Sequence, residues 1–261
     1  MRTLTTCPRC GAPGSPHDAS CAYCDGQLGP QSPALLQPPE PPHIGRLQLA
    51  HHTYLVLGQL ARGHHSQVYL ARRHALLSEL VLLKVGPLEA EWQALQRLRD
   101  LDGFLAQVLP QPVARHQNHF AYRWRSGFLY TLAEVARQYP RGVEPQTMVW
   151  MANRLLDQLA RVHSLGFVHG QLQADHMLIH PRDHALLICG WSACKPGPPN
   201  LDLKAALPLL QRLLGPAPGA PWKELFPKLA RLASAHEVQQ ELQRVARATF
   251  GPPRYHPFHM K

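Results

Sequence analysis

Four of the six cysteines fall in the first 28 residues, as Cys7-Pro-Arg-Cys10-Gly and Cys21-Ala-Tyr-Cys24-Asp-Gly. Two CxxC pairs separated by a short loop supply a tetrahedral set of four thiolates, a donor set suited to zinc. Glycine follows each pair within two residues and allows a tight turn whose backbone amides face the sulfurs. Residues 1–28 are too few to bury an apolar core, so Zn2+ would be structural and would supply most of the folding energy. Two disulfides are the alternative, but the N-terminus MRTLTTCPRC has no apolar leader of the kind that marks export. A second chemical candidate is Lys84, at the end of the apolar run Glu79-Leu-Val-Leu-Leu-Lys84-Val. The chain has six lysines against 21 arginines, and an ammonium inside such a run needs a partner. A third is His169 to Ile179, HGQLQADHMLI, where a His and a Leu precede another apolar run.

These residues need elements to position them. YLVLGQL and QVYLARR are β-prone runs around the turn ARGHHS. LEAEWQALQRLRDL carries Leu88, Trp92, Leu95 and Leu98 at helical spacing, and Gln146 to Leu165 carries Val149, Ala152, Leu156, Leu159 and Val162 on one side. The long helix delivers the chain into the loop at His169. MLIH and ALLIC form a hairpin around PRDH, residues 104–127 read as further strands, and two amphipathic helices follow near 221–233 and 237–249. The tail FGPPRYHPFHMK is expected to pack on the helical part that precedes it.

The loop at His169 resembles the catalytic loop of the protein kinase family, HRDLxxxN before an apolar strand. His169 takes the His position and Leu172 the Leu. Gln171 stands where the catalytic Asp belongs, Gln173 where a phosphate-facing Lys often sits, and His176 where the magnesium-binding Asn belongs. The turn ARGHHS resembles the Gly-rich loop GxGxxGxV, with Ala61, Gly63, Ser66 and Val68 at its marked positions and only the middle glycine kept. His64 and His65 at its tip could occlude the loop or contact an anion. Lys84 takes the strand lysine. The resemblance then makes Glu91 its helix partner, with Glu89 the alternative by register. Arg123 stands at the hinge position that usually carries Glu. Where the family has DFG, this chain reads Gly190-Trp191-Ser192, or Cys189-Gly190-Trp191 shifted by one, and neither has an Asp. The segment ACKPGPPNLD runs directly into Asp202, so the activation segment and substrate-peptide platform are nearly absent. Asp202 is expected to bond the catalytic-loop backbone.

The resemblance covers about residues 50–250 and implies an α+β, bilobal protein kinase-like fold. A small β-rich N-lobe (about 46–127) would precede a larger helical C-lobe (about 128–261). A short zinc ribbon (1–28) and a Pro-rich linker (29–45) would stand before it. Magnesium prefers oxygen ligands, so His176 and Gly190 leave it unsupported. Three readings follow. The first is a pseudokinase that binds or scaffolds an unidentified protein partner, with ATP held through Gly63, Ser66, Val68, Lys84 and Glu91. The second is an unorthodox serine/threonine kinase using Asp175 or Asp183 as displaced carboxylates and His169 or His176 as base. The third is a nucleic-acid-binding ribbon on a kinase-like platform.

Bulk properties bound these readings. With 261 residues, 45% hydrophobic, the chain can bury a large core. No apolar run reaches the roughly 20 residues that span a membrane, which points to a cytoplasmic protein without a membrane partner. The formal charge of +10, from 27 basic and 17 acidic residues, admits nucleic acid, although no dense Lys/Arg run concentrates it. The adjacent pairs His51-His52 and His64-His65 would point to opposite faces and are read as surface residues. Cys189 and Cys194 read as ordinary buried thiols, and Trp191 or Tyr122 could fill the nucleotide pocket.

Overall fold

The computed structural model describes residues 5–7, 13–14, 20–21, 24, 44–63, 65–74, 78–216 and 218–260. Most of the cysteine segment, nearly all of the Pro-rich linker and His64 lie outside them. At the N-terminus, two short strands, β1 (Thr5–Thr6) and β2 (Pro13–Gly14), pair antiparallel.

The first lobe is built on β3 (Gly45–Leu49), β4 (His52–Arg62), β5 (Gln67–His74) and β6 (Glu79–Val85). Two helices follow, α1 (Glu89–Leu101) and α2 (Gly103–Val108), then β7 (Pro112–His116) and β8 (His119–Arg123). The strands form one antiparallel sheet in the order β3-β4-β5-β6-β8-β7. Two register shifts in β4, at Val56/Gly58 and Gln59/Ala61, curl it, because a bulge adds twist to the strand that carries it.

The period of two along β6 sorts its side chains between the faces. Val81 and Leu83 join Leu49, Tyr54, Ala71 and Ala121 in a small core on one face. Leu82 and Lys84 therefore face α1, which lays Leu88, Trp92, Leu95 and Leu98 onto the sheet. The Trp92 ring sits 5.9 Å from Phe120 and 6.0 Å from Tyr122. The run 104–108 is helical rather than extended. Asp102 caps it by accepting the Leu105 N–H at 2.8 Å, and that local cap overrides a composition that reads as strand.

In the second lobe β9 (Tyr130–Thr131) leads into α3 (Leu132–Gln138), closed by a capping box between Thr131 and Glu134. The central helix α4 (Pro145–Ser164) buries Met148, Met151, Leu155, Leu156, Leu159 and Val162. After it come β10 (Phe167–Val168), the antiparallel hairpin β11 (Met177–His180) and β12 (Ala185–Ile188), and β13 (Lys195–Pro196), which pairs back to β10. The chain continues through α5 (Asn200–Leu213), α6 (Trp222–Leu229) and α7 (Ala235–Phe250). The tail packs on this lobe as expected, with Phe258 buried in the core and the Tyr139 hydroxyl donating to the His259 carbonyl at 2.6 Å. No described helix is long and apolar enough to cross a membrane.

Candidate functional site

Lys84 finds its partner in Glu91. The ammonium donates to both carboxylate oxygens, at 2.6 and 2.8 Å, and the side chains are 15% and 3% exposed. Glu91 precedes Trp92 on the inner face of α1, and one further donor, Ser192 Oγ, reaches its Oε2 at 3.2 Å. Glu89 faces outward, where Arg115 first and Gln93 second hold its carboxyl below the usual range. Lys84 Nζ also lies 5.8 Å from the Tyr122 ring centre. Burial, and then the nearby Glu91 carboxylate, push the Tyr122 phenol far upward, so it stays neutral.

Beneath this pair is a rigid frame. Asp202, in the first turn of α5, is buried, and its carboxylate accepts the His169 N–H at 2.8 Å and the Gly170 N–H at 2.9 Å. The His163 ring stands 2.9 Å from the same carboxylate. Burial alone would raise the Asp202 carboxyl, but the His163 ring and these two amides outweigh it and hold it below the ordinary value. His169 is fully buried. Its Nε2 lies 2.9 Å from the Cys189 carbonyl, and its Nδ1 accepts the Gln171 N–H at 3.3 Å. That pattern requires a neutral ring protonated on Nε2, in accord with burial lowering its pKa. Trp191 is buried edge-on to His169 at 4.6 Å and donates its indole N–H to the Ile188 carbonyl at 2.9 Å. It belongs to the core that α1 also enters.

The remaining loop positions differ. The Gln171 side chain is exposed, and only its backbone is engaged. His176 Nδ1 lies 2.9 Å from the Gln171 carbonyl, to which it donates. Gly190 has left-handed backbone, φ 78° and ψ 48°. A Cβ built there would meet His176 Nδ1 at 2.8 Å. The imidazole thus fills the space into which a side chain at 190 would project. Asp175 lies exposed in the 3-10 turn Ala174–His176. Asp183, at the hairpin tip, is engaged by Arg182 at 3.2 Å and His180 at 3.3 Å. Among the described residues, the group of three metal-capable side chains close enough to share an ion is Cys7, Cys21 and Cys24.

Above the lysine, Val68 lies directly across the β5–β6 ladder from Lys84. The turn closes with the Gly63 N–H on the Ser66 carbonyl at 2.8 Å. Its tip rests on Gly86, where a Cβ would fall 2.3 Å from the His65 carbonyl, so only glycine permits that approach. Arg123 points away from the cleft to Glu79, at 3.1 Å. Burial pushes the Cys189 and Cys194 thiols up to about 12 and about 11, which makes both poor nucleophiles. His51 and His52 are exposed.

At the N-terminus the sulfurs of Cys7, Cys21 and Cys24 lie within 4.8 Å of one another, with Cys7 and Cys24 at 3.7 Å. Tetrahedral zinc with bonds of about 2.3 Å places its sulfurs roughly 3.8 Å apart, whereas a disulfide needs about 2.05 Å. Three of the four expected ligands therefore fit a metal, and Cys10 lies outside the described residues.

Sequence reasoning paired Lys84 with Glu91 and set Asp202 on the loop backbone at His169 and Gly170, and the structure contains both contacts. It missed His163, the bond from Ser192 to Glu91 and the packing of His176 on Gly190. A buried aspartate needs several donors, which signals that one such as His163 must exist but not which one.

No family model matches the chain, and no curated protein matches it in sequence. The structure is similar to the solved structure of vaccinia related kinase 3, at 12% identity and a TM-score of 0.58, with 80% of this chain and 91% of that chain covered. That structure is one of 1967 matching chains, so the likeness identifies a widely shared fold rather than an activity. The fold is protein kinase-like, with the curled β-sheet and α1 as one lobe and the helical part as the other.

Proposed function

We propose that this chain is a catalytically impaired protein kinase-like protein that holds nucleotide without a metal site and acts as a binding or scaffolding module. The observation that carries this reading is the His176 ring packed against Gly190, beside a complete Lys84–Glu91–Ser192 network. Kinase chemistry is positioning and charge stabilisation. It relies on an Asp to orient the hydroxyl and on an Asn and an Asp to hold magnesium. Gln171 carries no negative charge, His176 is a poor magnesium ligand, and a carboxylate at 190 would collide with the imidazole. Lys84, oriented by Glu91, remains suited to meet a phosphate, and Gly63, Ser66 and Val68 would lie over it. Bound nucleotide would bring its own charge to the cleft, and the chain's part is to orient it.

The cysteine segment is proposed to be a structural zinc ribbon with Cys7, Cys10, Cys21 and Cys24 as ligands. It would form a separate module of about residues 1–28, joined by the linker 29–45 to a kinase-like domain at 46–261. Zinc there would be bound by thiolates and would hold the turns together. Its role would be docking to a protein partner in the cytoplasm.

The test is transfer of label from γ-labelled ATP, to the protein itself and to a generic acceptor, compared with Lys84→Met. The expected result is no label above that variant. Transfer that Lys84→Met abolishes overturns the reading and returns Asp175 or Asp183 as a displaced ligand. Metal analysis of the same preparation should find one zinc per chain.

A further inference from the structure

Away from the cleft, a cavity of about 250 Å3 opens between α4, α7 and the tail. Trp150, Phe250 and Pro253 give it apolar walls. The indole N–H of Trp150 is buried without a hydrogen-bond partner among the described residues. Arg247 and Arg254 also line the cavity, both exposed and, among the described residues, neither in an ion pair. No residue lining it is acidic. The polar wall formed by Asn153 and Gln243 satisfies itself, Gln243 donating to Asn153 Oδ1 at 3.1 Å. Behind them Trp150 stacks on His184 at 4.5 Å, and His184 on Tyr255 at 4.6 Å. This column of rings fixes the tail and makes the cavity a preformed feature. Ligand sites commonly have this composition, apolar walls with a few polar groups that set orientation.

We propose that this cavity binds a small amphiphilic carboxylate, with its apolar body between Trp150, Phe250 and Pro253 and its carboxylate at Arg247 and Arg254. Two guanidinium groups with no carboxylate among the lining residues select an anion, and a planar guanidinium suits carboxylate geometry. The walls select an apolar chain or ring. This site is independent of the nucleotide cleft and of its chemistry.

The test uses three probes with one tail and different head groups, octanoate, octan-1-ol and octylammonium, titrated into the full chain and followed by ligand-observed NMR and thermal melting. Octanoate is expected to bind at least tenfold more tightly than either of the others. The double variant Arg247→Glu/Arg254→Glu, changed only at exposed positions, should lose that tenfold preference while melting like wild type without ligand. Ala246→Trp, which fills the cavity from α7, should abolish octanoate binding. Equal binding of the three probes, an unchanged preference in the charge variant, or octanoate binding that survives Ala246→Trp would each overturn the proposal. If Ala246→Trp fails to fold, the charge variant decides alone.

Discussion

His169 and Gln171 stand two residues apart in one loop and have opposite fates. His169 is fully buried, and each ring nitrogen has a partner. The Gln171 side chain faces solvent. The contrast extends across the cleft. Asp202, Trp191, Lys84 and Glu91 form a bonded interior, whereas positions 171, 176 and 190 carry groups that settle locally. Residues that hold the loop in shape cannot change without leaving buried donors or acceptors unmatched. The Gln171 side chain, which faces solvent, is free of that constraint. A kinase-like frame is therefore held in place independently of what stands at positions 171, 176 and 190.

The largest test of this contrast is Asp202→Ala. It orphans the buried His169 amide, the Gly170 amide and the His163 ring, and should cost about 3–5 kcal/mol. For a domain of this size that is a fall in melting temperature of roughly 6–20 °C. A fall of less than about 2 °C would erase the distinction between frame and site.

A second test sharpens the contrast at the metal position. Gly190→Ala introduces a Cβ at positive φ against the His176 ring and should cost about 2 kcal/mol. In a His176→Ala background the collision disappears and only the backbone cost remains. A double-mutant cycle by denaturant unfolding should return a coupling of at least about 0.5 kcal/mol. Additive effects would mean that the imidazole does not fill that space.

Acidity probes the buried frame residues. His169 titrates lower in the folded protein than in the unfolded chain, so its contribution is complete above about pH 6.5 and is lost as pH falls through the lower folded value. Asp202 follows at more acid pH. Its contribution is complete above about pH 4 and disappears as pH falls through the depressed folded value. Stability measured from pH 7 to pH 5 should decline, by up to about 1.4 kcal/mol per pH unit for each such histidine. His169→Asn should flatten that slope. An unchanged slope would mean that the ring is already accessible to protons. The smallest effect is expected for Gln171→Ala, within about 0.5 kcal/mol of wild type by the same unfolding measurement.

Much of the frame was legible in the sequence. A lysine closing an apolar strand, a helix with apolar residues at regular spacing and a His-x-x-Leu loop before another apolar run are local patterns with local causes. Helix α4 and the hairpin β11–β12 follow from them, whereas the choice of Glu91 over Glu89 as the partner of Lys84 came only from the family resemblance. The segment 104–108 did not, because the Asp102 cap that makes it helical outweighs its apolar composition. The relation of His176 to Gly190 was also hidden. The two residues are 14 positions apart, and only the fold brings an imidazole onto a glycine. The ring stack that seats the tail joins Trp150, His184 and Tyr255 from three separate segments, and no periodicity connects them.

The central claim is that the cleft holds nucleotide but not metal, and the most direct measurement is thermal melting with ATP, in chelator and in magnesium, for wild type and Lys84→Ala, each against its own unliganded melt. At about a hundred times its dissociation constant a ligand stabilises by roughly 2.7 kcal/mol, a rise of about 5–10 °C here. The account predicts that this rise occurs in wild type, is the same with and without magnesium, and is absent in Lys84→Ala. A rise that depends on magnesium would contradict it, because some carboxylate would then be restoring the metal site, and no rise in either condition would mean that the cleft does not take nucleotide.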